Sequence, residues 1–141
     1  MSDPFIDTNI LIRFLTADDP VKHAAATALI GQIQDGVVTV SVLEAVIAEA
    51  VFVLRSPRLY HLPRAQVVAL LMPIVRIPHF QVRNRRSVLR ALDLFANTRL
   101  HFGDALVVAA MEQDGASTVY SFDHDFDRIP GITRIEPMST S

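Results

Sequence analysis

The chain has 141 residues, 50% hydrophobic and 20% charged, and carries a formal net charge of −2. That length fits one domain with a real core, and the absence of cysteine excludes disulfides and any thiolate zinc site. No run approaches the ~20 uncharged apolar residues of a membrane helix, and the opening MSDPFIDTN lacks the basic segment of a secretory signal, so a cytoplasmic protein with no membrane partner is expected.

Pro4, Phe5 and Ile6 predict a short buried strand that runs into Asp7-Thr8-Asn9, polar residues able to cap a helix carrying Ile10, Leu11, Phe14 and Leu15. Asp19 and Pro20 suit an N-cap and a first helical residue. The alanine-rich stretch after them predicts a helix to residue 34, closed by Asp35-Gly36. The β-branched residues 37–40 predict a second strand. Ser41 and Glu44 have capping-box spacing ahead of an apolar helix that ends near Arg55 and Pro57.

Pro63 predicts the start of a helix with Val67, Leu70 and Leu71 on one face. Residues 79–82 alternate as a third strand, and Asn84 is positioned to cap a helix carrying Val88, Leu89, Leu92 and Phe95. Gly103-Asp104 opens the next helix, with Gly115 as its terminating glycine. Residues 118–121 predict a fourth strand and 133–135 a weaker fifth. Short strands alternating with helices imply α/β architecture, a parallel sheet covered on both faces. With no repeat or linker, residues 1–137 read as one domain and 138–141 as a C-terminal tail.

Four acids fall at or beside the junctions of these elements: Asp7 in FIDTNIL, Glu49 in VIAEAVFVL, Asp104 in FGDALVVAA and Asp123 in SFDHDF. Acids in apolar surroundings need a partner or a metal, and a divalent cation offsets the repulsion of several carboxylates gathered together. Sites of open α/β sheets lie beyond the carboxyl ends of the strands, where Asp7 and Asp123 belong. Asp104 fits that edge or the opposite one. Asp7 and Asp104 also suit helix N-caps, and Asp123 an ordinary Asx turn. The rival acid Glu44 is assigned to the capping box; Glu49, mid-helix among alanines and apolar residues, has no such role.

Setting four acids aside leaves 11 against 13 basic residues, a balance of +2. Twelve of the basic residues are Arg, and Lys22 is the sole lysine. Arg83, Arg85, Arg86, Arg90 and Arg99 lie within 17 residues and suit phosphate contacts, although a solvated helix face explains them equally well. Nucleotide-cradling glycine motifs and a GxSxG elbow are absent. After Asp123, an EF-hand loop would need glycine and glutamate where Arg128 and Arg134 stand. A phosphoacceptor receiver would need a late lysine. The five histidines have no metal-ligand spacing, which leaves a metal-free His–His nuclease as a minor alternative.

Taken in order, FIDTNILIRFL, IAEAVFVL, FGDALVVAAM and VYSFDHDFDRIPGI resemble the four motifs of the PIN-domain ribonucleases, and within them the VapC toxins of type II toxin–antitoxin pairs. The resemblance covers nearly the whole chain. It implies a three-layer α/β/α PIN-like fold with a central, mainly parallel sheet of about five short strands, and it brings Asp104 to the same edge as the other acids. It also implies a Mg²⁺- or Mn²⁺-dependent endoribonuclease with Asp7, Glu49, Asp104 and Asp123 as metal ligands and catalytic residues. Thr8, Asn9, Ser121 and Asp125 would support them, and Arg83, Arg85, Arg86, Arg90 and Arg99 would hold the RNA backbone. Expected partners are the RNA substrate, a VapB-like antitoxin and a second copy of the chain. The homodimer face is expected on residues 63–73 and the alanine-rich helix. His124 stands where the family often has a basic residue. The alternative is a PIN-like RNA- or protein-binding module that no longer cuts.

Overall fold

The computed structural model describes residues 2–138; residues 139–141 of the expected tail lie outside it. Helix α1 (Thr8–Leu15) starts as expected: the Asp7 side chain accepts a hydrogen bond from the Asn9 backbone N–H and occupies the N-cap. Helix α2 (Pro20–Gln34) is capped by Asp19, whose carboxylate accepts from the Lys22 N–H at 3.1 Å, with Pro20 opening the first turn. Past its end Gly36 takes φ +78°, and the side chain of His79 packs so close that a β-carbon there would meet it at 3.0 Å.

The next strand, β1 (Val40–Val42), begins later than the β-branched run suggested. The N–H groups of Val37 and Val38 both donate to the Gln32 carbonyl at the end of α2, which removes them from any ladder. Ser41 consequently lies inside β1 and does not cap a helix. Helix α3 (Glu44–Arg55) has Leu43 at its N-cap position, without a side-chain cap. The expected capping box is therefore absent, and Glu44 accepts a hydrogen bond from the Asn84 side chain at 2.6 Å.

Helix α4 (Arg64–Val75) follows Pro63 and buries Val67, Val68, Leu71, Ile74 and Val75, so most of its apolar surface faces the core. Strand β2 (Phe80–Val82) leads to α5 (Arg85–Asn97), α6 (Phe102–Asp114) ends at Gly115 with φ +72°, and β3 (Thr118–Tyr120), a short 3-10 helix (His124–Arg128) and β4 (Thr133–Ile135) complete the described chain. Asn84 precedes α5 in left-handed conformation and makes no cap bond; its side chain is given to Glu44.

Strands β1 and β2 pair in parallel, Val40 opposite Phe80 and Val42 opposite Val82. Strands β3 and β4 also pair in parallel, Thr118 opposite Thr133. Phe5 joins Ser41 through a single parallel bridge. The expected five strands thus appear, among the described residues, as four strands of three residues and one bridge. With Pro4 unable to donate, the first segment gives the ladder little more than the Pro4 carbonyl and the Ile6 N–H. The architecture is otherwise the expected α/β class, with short parallel strands and six helices.

The core joins these elements. Leu11, Ile33, Ile47, Leu54, Leu71, Phe80 and Leu92 are fully buried, each contributing about 1.5–3 kcal/mol of transfer free energy. Phe126 and Ile129 tie the 3-10 segment to the same core. That anchoring fixes Asp123 and Asp125 relative to α6.

Candidate functional site

Asp7 is exposed, and its carboxylate is held by the Asn9 N–H at 2.7 Å. Thr8 is buried at 6% exposure, and its hydroxyl donates to Glu49 Oε2 at 3.1 Å. This bond crosses from α1 to α3 and ties Glu49 to the residue after Asp7. A buried hydroxyl left without a partner would cost about 1–3 kcal/mol, so Thr8 aims the exposed Glu49 as much as Glu49 satisfies Thr8.

A second group forms around the start of α6. Asp104, in its first turn, is partly buried. Burial, and then the charges of Asp123 and Asp125, hold its carboxyl above the usual aspartate range, while nearby His101 pulls it the other way. Asp123 caps the 3-10 helix by accepting from the Asp125 N–H at 2.9 Å, and its own N–H donates to Ser121 Oγ at 2.9 Å. The Ser121-to-Asp125 turn is clamped from β4 by Arg134, which donates to the Ser121 carbonyl at 3.0 Å and ion-pairs with Asp127 and Glu136. The Arg134 bond, followed by that of His124, keeps Asp127 below the usual carboxylate range. Asp127, which stays exposed, therefore partners Arg134 and His124.

Helices α3 and α6 face each other across a cavity of about 430 Å³ that Ala48 and Gly103 both line. Those residues directly precede Glu49 and Asp104 in the chain, but none of the four acids lines the cavity itself. The donor chemistry is all oxygen and strongly negative, which suits a hard divalent cation. Yet among the described residues no three Asp, Glu or His side chains converge closely enough to hold a metal ion. The expected four-acid cluster is not closed: Asp7, Glu49 and Asp123 each direct a carboxylate oxygen to a local donor.

The five arginines also separate. Arg85 donates to the carbonyls of Ile77, Pro78 and Phe80 at 2.6–3.1 Å, so it ties α5 to β2. Arg90 is shared between Glu112 and Asp93. Arg83, Arg86 and Arg99 are exposed and have no ion pair among the described residues. Arg99 lines a groove of about 200 Å³ with Arg128 and Asp125. Sequence reasoning missed Arg128, Arg134 and His101. Their roles depend on elements far apart in the chain, and no local spacing signals them.

An α/β module with short parallel strands and an acidic group at the start of α6 is the class these features define. The sequence matches the PIN domain family over residues 5–132, and the chain belongs to that family, whose domains are commonly metal-dependent nucleases. No curated protein matches the chain. Among the described residues no helix is long and apolar enough to cross a membrane.

Proposed function

We propose that this PIN domain is a Mg²⁺- or Mn²⁺-dependent endoribonuclease of the VapC type, spanning residues 1–137. The observation that carries this reading is the acidic group at the start of α6, where Asp104 is partly buried and lies within reach of the charges of Asp123 and Asp125. Asp7, Glu49, Asp104 and Asp123 would hold the cation, with Asp125 beside them. When bound, the cation supplies Lewis acidity for the attack of water on a phosphodiester. Thr8 orients Glu49, Asn9 fixes Asp7 through its N–H, and Ser121 fixes the turn that bears Asp123. Arg83, Arg86, Arg99 and Arg128 bind the RNA backbone, whereas Arg85 and Arg90 are structural.

The toxin reading adds partners. A groove of about 490 Å³ between α1 and α2 opens beside Asn9 and is lined by Ile10, Leu29, Arg13 and Lys22, which supports docking of an antitoxin arm over the site. Exposed Tyr120, Phe122 and Leu59 support self-association better than α4 does, because α4 buries Val67, Val68, Leu71, Ile74 and Val75 in the core. The location is proposed to be cytoplasmic.

Asp7→Asn keeps shape and removes charge. The folded variant should lose RNA cleavage in Mg²⁺, and EDTA should abolish wild-type cleavage; cleavage that survives both would sink the assignment. Arg83→Met should lower RNA affinity and reduce the salt slope by about 1, whereas Arg85→Met should destabilise the fold.

A further inference from the structure

The cavity between α3 and α6 has a lining unlike that of the acidic groups. Its floor is apolar and aromatic: Phe95 meets Phe102 edge to face, ring centroids 6.0 Å apart at 74°. Its wall carries Phe52, which is 73% exposed although it projects from an apolar helix. Four basic side chains line it, Arg55, His61, Arg64 and His101, and no acid does. The Arg64 guanidinium lies 3.7 Å from the centroid of the Phe95 ring and donates to the carbonyls of Phe95 and Leu100. Burial and the neighbouring Arg55 charge both lower its affinity for its proton, so two like charges stand together without a counter-ion. His61 is held at φ +49°, in the left-handed region where histidine is one of the few residues besides glycine that is enriched. Its N–H donates to the Ser56 carbonyl, and that of Leu62 donates back to Leu54, which fixes this loop against α3.

We propose that this cavity is a nucleobase subsite, which receives one unstacked base of a single-stranded RNA next to the bond that is cut. The proposal rests on the nuclease reading above. Phe52 offers a stacking face, which is how proteins take up unpaired bases. The volume falls in the range of small-ligand pockets. The excess of cations over acids suits a ligand that carries phosphate. An apolar protein side chain would use the floor and gain nothing from that charge. Adjacency suggests the role: His101 and Gly103, at the start of α6, line the cavity just ahead of Asp104, and Ala48 lines it directly before Glu49. A base seated here would position the following phosphate at the acids. Phe52 and His61 would then determine which base precedes or follows the cut.

The full chain, ¹⁵N-labelled and in EDTA, is titrated with each of the four ribonucleoside 5′-monophosphates and with inorganic phosphate. The expected result is saturable shifts of the Phe52, His61 and Gly103 amides with a preference among the bases and no equivalent response to phosphate. Phe52→Ala, at an exposed position, should weaken that binding about tenfold or more. His61→Asn, which tolerates the same backbone, should change the base preference. In Mg²⁺ both variants should shift the distribution of RNA cleavage ends and raise KM more than they lower kcat. Nucleotide binding at these amides without any cleavage would overturn the nuclease reading and keep the subsite. Cleavage without perturbation of these amides would overturn the subsite and keep the nuclease. Equal shifts with phosphate alone, or a dimer that Phe52→Ala converts to monomer, would make the cavity an anion site or a protein interface and overturn the proposal.

Discussion

At the Asp7 corner the carboxylates of Asp7 and Glu49 each accept a hydrogen bond from a neighbour, one from a backbone N–H and one from a buried hydroxyl. At the Asp104 corner the carboxyl is partly buried and faces two further acids, and no hydrogen bond offsets the repulsion. The first arrangement is settled in the absence of any ligand. In the second, burial and like charge disfavour the ionised carboxyl, and His101 offsets them only in part.

The largest effect should come from Asp104→Asn, which removes the repelled charge. Cleavage in Mg²⁺ should fall by about 100-fold or more, measured on a labelled RNA, and a variant with near wild-type rate would assign the weight to the other corner. Thr8→Val tests positioning. It should cost about 1 kcal/mol of stability in urea unfolding and about tenfold in activity; a loss of stability with no loss of rate would reduce Thr8 to a packing residue.

A smaller effect should appear in the metal-free protein as a function of pH. The folded-state pKa of Asp104 is raised above its unfolded value, so the folded protein holds that proton more tightly. Its contribution to stability is greatest below the ordinary aspartate pKa and is lost as pH rises through the folded value. Asp104→Asn should therefore melt slightly higher than wild type at pH 7 in EDTA, with the two converging in acid; equal melting temperatures at pH 7 would remove the strain from the comparison. Asp127 has the opposite sign. Arg134, then His124, lowers its pKa, so its contribution is present above the ordinary value and lost as pH falls through the folded one. Arg134→Gln should abolish that dependence and loosen the Ser121-to-Asp125 turn, a modest effect visible as faster amide exchange of Asp123 and Asp125.

Much of the fold was legible in the sequence because its signals are local. Asp7, Asp19-Pro20 and Gly115 mark helix ends by chemistry that acts within one turn, and the helices lie close to where periodicity put them. Ser41 and Glu44 had the right spacing for a capping box, but Ser41 gives its N–H to the Pro4 carbonyl and pairs with Gln81 as part of β1. Tertiary pairing outcompeted a motif worth about 1 kcal/mol. The arginine run shows the same limit, since composition alone does not distinguish Arg85, bonded to three carbonyls, from Arg83, which is free of ion pairs among the described residues.

The chain by itself determined the alternation of short strands and helices, the positions of the four acids and the family to which it belongs, because each is written in consecutive residues. Only the tertiary structure decided that Thr8 reaches Glu49 across 41 residues, that Asp123 and Asp125 press on Asp104, and that a basic, aromatic cavity opens between α3 and α6. Those relations depend on how α1, α3 and α6 pack against one core. Contacts of that kind arise from burial, which is non-directional and leaves no spacing to read in the chain.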